Sequence, residues 1–409
     1  MPQESSKVLI FTTKDWVGIA RLPMAMSEAG FRVSALCRSG GLLSHSAHCE
    51  LKFSLPAERQ GRQILAAVVD AMDKWKPDFI IPGDDGAVQF LQGLVQRSSA
   101  GTLRGIAPGL LDVTGRSLGD PAYFSVTSSK PGTQKTARDL NIPTPADIPV
   151  KTLSGALQFA GEHGYPVVLK QAVGYAGTGV RICRNEDELR VALQDLRKRF
   201  SYARGIVRRL LGARLESYWF NADDSLTVQE FVRGIPAMFN VVAIRGKTLA
   251  GFLALKEQIF PPPAGPSSVV RFVDRPDIAA AVGALIERFG YTGFGSFDFI
   301  LQEQTGKPFL LEFNARPTPA THLGKYNGTD LCGALFDALN GTDFVEKATA
   351  RREPVIALFP QEYLRDAHSA YISTAFHDVP WSDPGLLRAY CDRFHLDSFV
   401  SRLNAHGDS

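Results

Sequence analysis

The stretch Phe309–His322 reads FLLEFNARPTPATH. It opens as an apolar run fit for a buried strand, with Phe309, Leu310 and Leu311 as the part that fixes its register. A carboxylate (Glu312), an amide (Asn314) and a guanidinium (Arg316) then follow at two-residue steps, before Pro317 and Pro319 interrupt the pattern. Side chains two apart on a strand share one face. Glu312 and Asn314 therefore point the same way from the end of a rigid mount. The preceding segment, GSFDFIL (Gly295–Leu301), carries Asp298, and a Thr305–Gly306 turn separates the two. Pairing about that turn brings Asp298 beside Glu312. Oxygens of Asp298, Glu312 and Asn314 in one cleft suit a hard cation, and magnesium is usually shared between such groups, water and substrate phosphates.

Two further features lie upstream. YPVVLK ends its apolar strand on Lys170, where an uncompensated ammonium is costly. Gly174, Gly177 and Gly179 follow, and such a loop lets backbone N–H groups approach an anion closely. It is not a Walker loop, because Gly-x-x-x-x-Gly-Lys-[Ser/Thr] is absent. QEFVRG (Gln229–Gly234) sets Glu230 and Val232 in an extended segment whose backbone can meet the edge of a purine. Taken singly, each has a plain reading: a surface hairpin with a snorkelling lysine, and a strand with one exposed acid.

The residues before this region have another rhythm. KVLIFTT, FRVSALC and DFIIPGDD read as strands, separated by helical GIARLPMAMSEAG and QILAAVVDAMDKWKP. That alternation predicts a small parallel sheet with helices on its faces. The first strand lacks Gly-x-Gly-x-x-Gly, so no nicotinamide site is expected. Gly83, Asp84 and Asp85 fall at a strand's carboxyl end, where ligands bind in open α/β sheets, although an ordinary strand-to-helix turn is the favoured reading. From Leu226 to Asn314, antiparallel strands surround a helix at Asp277–Gly290. Beyond Ala350, a strand and a helical Pro384–Leu403 carry no chemical reading.

The chain has 409 residues, a net charge of +3, 44% apolar and 21% charged residues. That balance fits a protein with a real core, and gives no reason to expect nucleic acid or a membrane as partner. Five scattered cysteines without a Cys-x-x-Cys pair argue against a disulfide framework and for a reducing, cytoplasmic setting. No signal peptide or membrane-length apolar run is expected from the pattern.

In combination, the motifs resemble those of the ATP-grasp superfamily, from about Ser128 to Pro317 and in the family's order. Lys130 and the NIPTP turn resemble the first ATP lysine and its turn, YPVVLK with its glycines the second lysine and lid, QEFVRG the adenine hinge, and FDFIL…LLEFNARP the metal-binding strands. The resemblance implies an α/β and α+β architecture: a parallel-sheet pre-ATP-grasp domain at 1–120, a first lobe at 121–225, a second lobe at 226–345, and a C-terminal extension at 346–409. It further implies that Lys130 and Lys170 contact ATP phosphates, that Gly174, Gly177 and Gly179 shape the lid, and that Glu230 and Val232 meet adenine. Asp298, Glu312 and Asn314 would hold Mg2+, or Mn2+ in its place. Arg316 and Lys170 would serve the transfer itself. Members often place an acid for the ribose at the position of Ala237; here Asn240 is the suggested substitute.

The activity implied is a carboxylate–amine ligase acting through an acylphosphate on a small-molecule acid and amine, with a homodimer held open. Carbamate or carboxyphosphate chemistry, a small-molecule kinase, and a non-catalytic ATP-binding protein are the alternatives. Arg271, Lys256 and His322 are weaker substrate-side candidates, each weighed against a surface or loop role. His45, His48 and Cys49 have zinc-like spacing, and Arg208 and Arg209 lie in a basic stretch; a loop and a solvated helix face are the favoured readings.

Overall fold

Four parallel strands build the first layer: β1 (Lys7–Phe11), β2 (Arg32–Arg38), β3 (Leu51–Leu55) and β4 (Phe79–Pro82), in the order β3-β2-β1-β4. β1 is apolar and buried from Val8 to Phe11 because both its faces are covered. β3 was not foreseen: its LKFSL is exposed at most positions and is placed by its pairing with β2. Helices α1 (Leu22–Glu28), α2 (Gly61–Trp75), α3 (Asp85–Ser99) and α4 (Pro108–Leu118) accompany this sheet. Asp84 caps α3, accepting from Ala87 N–H. It also accepts from the Thr12 and Thr13 hydroxyls and from the Thr13 and Lys14 N–H groups. One carboxylate thus fastens the loop after β1 to the start of α3. The computed structural model describes residues 6–56, 61–103, 107–171, 179–197, 225–262, 265–342 and 354–405.

After α5 (Phe124–Thr127) and α6 (Lys130–Asp139), a four-stranded antiparallel sheet contains β5 (Asp147–Pro149), β6 (Val167–Gln171), β7 (Val180–Cys183) and β8 (Leu226–Glu230), in the order β5-β8-β6-β7. Helix α7 (Leu153–His163) and helical residues 186–197 close its core. β8 belongs to this sheet, so the first lobe's sheet runs past residue 225 to Glu230. Residues 231–233 then lead directly into the next sheet.

That sheet has seven strands: β9 (Gly234–Ile244), β10 (Lys247–Ile259), β11 (Ser267–Val273), β12 (Gly293–Gln302), β13 (Pro308–Asn314), β14 (Val355–Ala357) and β15 (Phe376–His377). Their order is β13-β12-β9-β10-β11-β14-β15. The β9–β10 turn uses Arg245 and Gly246, both at positive φ, as a two-residue hairpin requires. One face, with Phe239, Val241, Phe297 and Leu310, packs on helix Pro276–Arg288. The other, with Val242, Phe252, Phe272 and Phe294, packs towards the N-terminal layer and helix Leu331–Asn340.

The region beyond Ala350 is part of the body of the protein. β14 and β15 extend the large sheet, and helices Pro384–Phe394 and Asp397–Ala405 pack on Ala20 and Leu42 of the N-terminal layer. Asp383 binds the Ser46 hydroxyl and the Ala47 N–H. Among the described residues no helix is long and apolar enough to cross a membrane, and all five cysteines are buried and unpaired.

Candidate active site

The site is set by one irregularity in β13. Asp298 pairs with Glu312, but Phe299 pairs with Leu310, so Leu311 is an extra residue in the ladder. This bulge restores the phase. Leu310 and Phe313 fall on the helix-covered face, and Phe313 stacks on Phe297 at 4.3 Å. Glu312 and Asn314 fall on the opposite face, beside Asp298. The register anchors are therefore Leu310 and Phe313; Phe309 and Leu311 are only half-buried, which corrects the reading of all three apolar residues as the buried mount.

Helix α6 secures the same edge. Leu310 N–H donates to Pro143 O at 2.8 Å, and Gln134 Nε2 donates to the bulged Leu311 carbonyl at 3.0 Å. Ser129 caps α6, and Lys130, its first residue, reaches Glu312 with Nζ 2.7 Å from Oε2. Lys256 of β10 approaches from the other side, its Nζ 2.9 Å from Asp298 Oδ1. The Asn314 amide lies at 3.5 Å from Asp298 Oδ2, while its own Oδ1 accepts from Arg316 at 3.3 Å.

The charges divide the two carboxylates. Burial raises the pKa of Asp298 and Glu312 adds to this, with Lys256 opposing. Burial would raise Glu312 too, but Lys130, Lys170 and Lys256 hold it well below the usual carboxylate range. Burial disfavours the Lys130 ammonium, yet Glu312 outweighs this and raises its pKa. Lys170, half-buried on β6, is lowered to about 8 by burial, with Glu312 opposing. Two elements thus bring ammonium groups into contact with a pair of carboxylates supplied by two strands, and the Lys170 charge from a third acts on both.

Arg316 is 9% exposed. Its Nε and Nη2 donate to Asp85 at 2.7 and 3.2 Å, and its guanidinium lies 5.4 Å from the Trp16 ring. It is therefore occupied by the N-terminal layer. Asp85, passed over as an ordinary turn residue, is a member of this cluster, and its charge helps to raise Lys130. Its position at the carboxyl end of β4 was the available signal. Trp16 gave no signal.

Other candidates are placed elsewhere. Arg271 lies on the opposite face from Asp298, half-exposed, with Nε donating to Glu257 at 2.6 Å. His322 is buried, its Nε2 2.8 Å from Asp378 Oδ2, and Asp378 also pairs with Arg21 at 3.1 Å. Burial lowers the His322 pKa to about 4 despite Asp378. Arg271 is engaged in an ion pair and His322, neutral at ordinary pH, in a buried hydrogen bond, instead of facing the carboxylates. Asn240 is fully buried, its Oδ1 accepting from Thr318 at 2.7 Å, and Ala237 lies in the core; neither is presented to a ribose. Glu230 accepts from Ala146 N–H through Oε2 at 3.2 Å, at the end of β8, and Val232 lies in the connection between the sheets. Gly179 lies in the turn just before β7, with its carbonyl accepting from Gln171 N–H at 2.9 Å. Gly174, Gly177 and the basic stretch with Arg208 and Arg209 lie outside the described residues. His48 meets the Ser382 carbonyl at 3.2 Å, and no metal-like group of three or more His, Cys, Asp or Glu occurs among the described residues. The paired carboxylates fit a hard cation that completes its shell with water and phosphate; Asn314 would have to release Arg316 to join them.

The chain is similar to known proteins in one sequence segment and in its fold. The family model described as "Carbamoyl-phosphate synthase L chain, ATP binding domain" matches residues 130–212. Biotin carboxylase 2, chloroplastic, of Populus trichocarpa is 26% identical over 203 residues, 48% of this chain and 36% of that protein. The chain thus spans about a third of the length of that curated relative. Among solved structures, the biotin carboxylase domain dimer of Hydrogenobacter thermophilus 2-oxoglutarate carboxylase, in complex with MgADP, ADP and bicarbonate, aligns with a TM-score of 0.60 at 18% identity. It covers 86% of this chain and 74% of that one. L-amino acid ligase from Bacillus licheniformis aligns with a TM-score of 0.55 at 14% identity, covering 82% and 75%. At such identities the structural likeness is one of fold. The shared fold and the matched ATP-binding segment agree with the resemblance to the ATP-grasp superfamily.

Proposed function

We propose that this protein is an ATP-dependent ligase that joins a small-molecule carboxylate to an amine. The carboxylate attacks the γ-phosphorus of ATP, giving an acylphosphate and ADP; the amine then displaces phosphate. The observation that carries this reading is the in-register pair Asp298–Glu312, met by Lys130 and Lys256 from separate elements, with the Lys170 charge acting on both. In it, Lys130 and Lys170 bind phosphates, residues 230–232 meet adenine, and Gly174, Gly177 and Gly179 form the lid. Asp298 and Glu312 hold magnesium, which supplies charge neutralisation at the transferred phosphoryl group. Arg316, clasped by Asp85, positions the acceptor wall beside them. Residues 1–120 contribute the acceptor wall, 121–230 and 231–345 the two lobes, and 346–409 the brace behind them. A cytoplasmic homodimer completes the proposal; the H. thermophilus neighbour is a dimer.

The test is incubation with ATP, Mg2+ and crossed panels of acids and amines. ADP, phosphate and an amide are expected together. ATP hydrolysis that no acid or amine alters would refute the ligase reading, and a stable phosphoester would identify a kinase. A second reading takes bicarbonate as the acid and forms carboxyphosphate. It is favoured by the bicarbonate in the H. thermophilus structure. Bicarbonate-dependent ADP release without an added organic acid would select it.

A further inference from the structure

The carboxylates proposed to hold the metal are already engaged. Lys130 Nζ lies 2.7 Å from Glu312, and Lys256 Nζ lies 2.9 Å from Asp298. Lys170 acts electrostatically on both carboxylates, while Arg316 is matched by Asp85. Around this pair, two ammonium groups therefore occupy the two carboxylates, and the Lys170 charge adds to the positive field they meet. These side chains are largely shielded, with 16% of Lys256, 20% of Asp298 and 27% each of Lys130 and Glu312 exposed, so water screens the charges only in part.

A divalent cation entering alone must break two ion pairs and then stand beside the ammonium groups it displaced. A polyphosphate reverses both effects. It accepts the ammonium groups, which frees the carboxylates, and it brings the negative charge that the cluster lacks. Lys256 is the informative member. It extends from β10 across β9 to Asp298 on β12 and meets the carboxylate that Lys130 does not.

We infer that Lys130 and Lys256 are place-holding counter-ions, which keep a divalent cation off Glu312 and Asp298 until a nucleoside di- or triphosphate draws them away. Metal and nucleotide then bind as a coupled pair, and each tightens the other by the same factor. This rests on the reading of the cleft as a nucleotide–metal site. It adds to that reading a regulation of metal entry by two named lysines.

The experiment is an electron paramagnetic resonance titration of the full chain with Mn2+, with and without ADP, after allowing for the Mn2+–ADP complex in solution. Nucleotide-free Mn2+ binding is expected to be at least about tenfold weaker than binding in the presence of ADP. Lys256→Gln should strengthen nucleotide-free binding by about tenfold and so narrow the gap. Lys256→Arg keeps the charge and should keep the gap, and near-ultraviolet circular dichroism checks that both variants fold. Equal Mn2+ affinity with and without ADP in the unaltered protein overturns the inference, as does an unchanged gap in folded Lys256→Gln. If ADP binds but Mn2+ is indifferent to it, only the place-holding role fails. If neither binds, the nucleotide–metal reading fails with it.

Discussion

Arg316 and Asp85, 231 residues apart in sequence, form a two-pronged ion pair between the end of β13 and the start of α3. It clasps the N-terminal layer to the strand that carries Glu312. Lysine offers a single point charge and can neither reproduce the fork nor lie as a plane against Trp16. With the acid and amine identified by the panel, Arg316→Lys is expected to lower ATP-dependent product formation by about 100-fold, the scale of losing one preorganised donor. Mn2+–ADP binding should persist. Product formation within twofold of the original would remove Arg316 from the reaction, about 0.4 kcal/mol being too little for such a role.

Asp85→Asn should weaken the same clasp with a smaller structural effect. The carboxylate is 42% exposed, so solvent screening limits its contribution to about 1 kcal/mol. Urea denaturation should register that loss. A change above about 3 kcal/mol would mean that Asp85 behaves as a fully buried partner.

Glu312→Gln keeps the size of the side chain and removes its charge. Mn2+ affinity in the presence of ADP is expected to fall by about 100-fold, as is ATP turnover. The circular dichroism spectrum should be retained, since Leu310 and Phe313 anchor the strand. Unchanged Mn2+ affinity would exclude Glu312 as a ligand.

His322 predicts a pH dependence of stability. Its pKa falls from 6.5 in the unfolded chain to about 4 in the fold. Between those values the unfolded state binds the additional proton, so stability declines as pH falls through this window. Asp378 is held below its ordinary 3.8 because Arg21 and His322 outweigh its burial, and it acts in a more acidic range. Denaturation of His322→Gln between pH 6.5 and 4 should therefore show a shallower slope than the unaltered protein. An identical slope would place the titration elsewhere.

The pair behind His322 should be far more costly to break. Arg21 and Asp378 are 3% and 2% exposed, so removing one partner leaves a buried charge. Arg21→Met is expected to destabilise the protein by about 3–5 kcal/mol. A loss below about 1 kcal/mol would show that Asp378 finds equivalent compensation from His322.

The carboxylate pair was legible because alternation and a short turn are local properties: Asp298 and Glu312 face each other as the strand pattern required. The resemblance supplied Lys130, whose approach depends on α6 docking at the edge of β13. What escaped was long-range. The bulge at Leu311 arises from pairing with β12, and no local apolar count reveals which of three neighbours is the extra one. Arg316 looked available because Asp85 belongs to a different layer. Arg271 and His322 looked chemical because their partners, Glu257 and Asp378, are matched only in the folded chain. The final segment was opaque for a related reason: its apolar residues complete a surface first laid down by Val17, Ala20 and Leu42.

That last arrangement governs the order in which the protein can mature. Synthesis produces the loops around Val17, Ala20 and Leu42 more than 300 residues before Phe359, Leu386 and Phe399, which cover them. While the ribosome is still at work, the N-terminal sheet can form but part of its upper rim remains bare. Only release of the residues after Pro354 seats Asp383 on Ser46 and Asp378 on Arg21. A stalled or truncated product would therefore expose an apolar rim that protein quality control can recognise, even though the segment bearing Lys130, Lys170 and Glu312 is already complete.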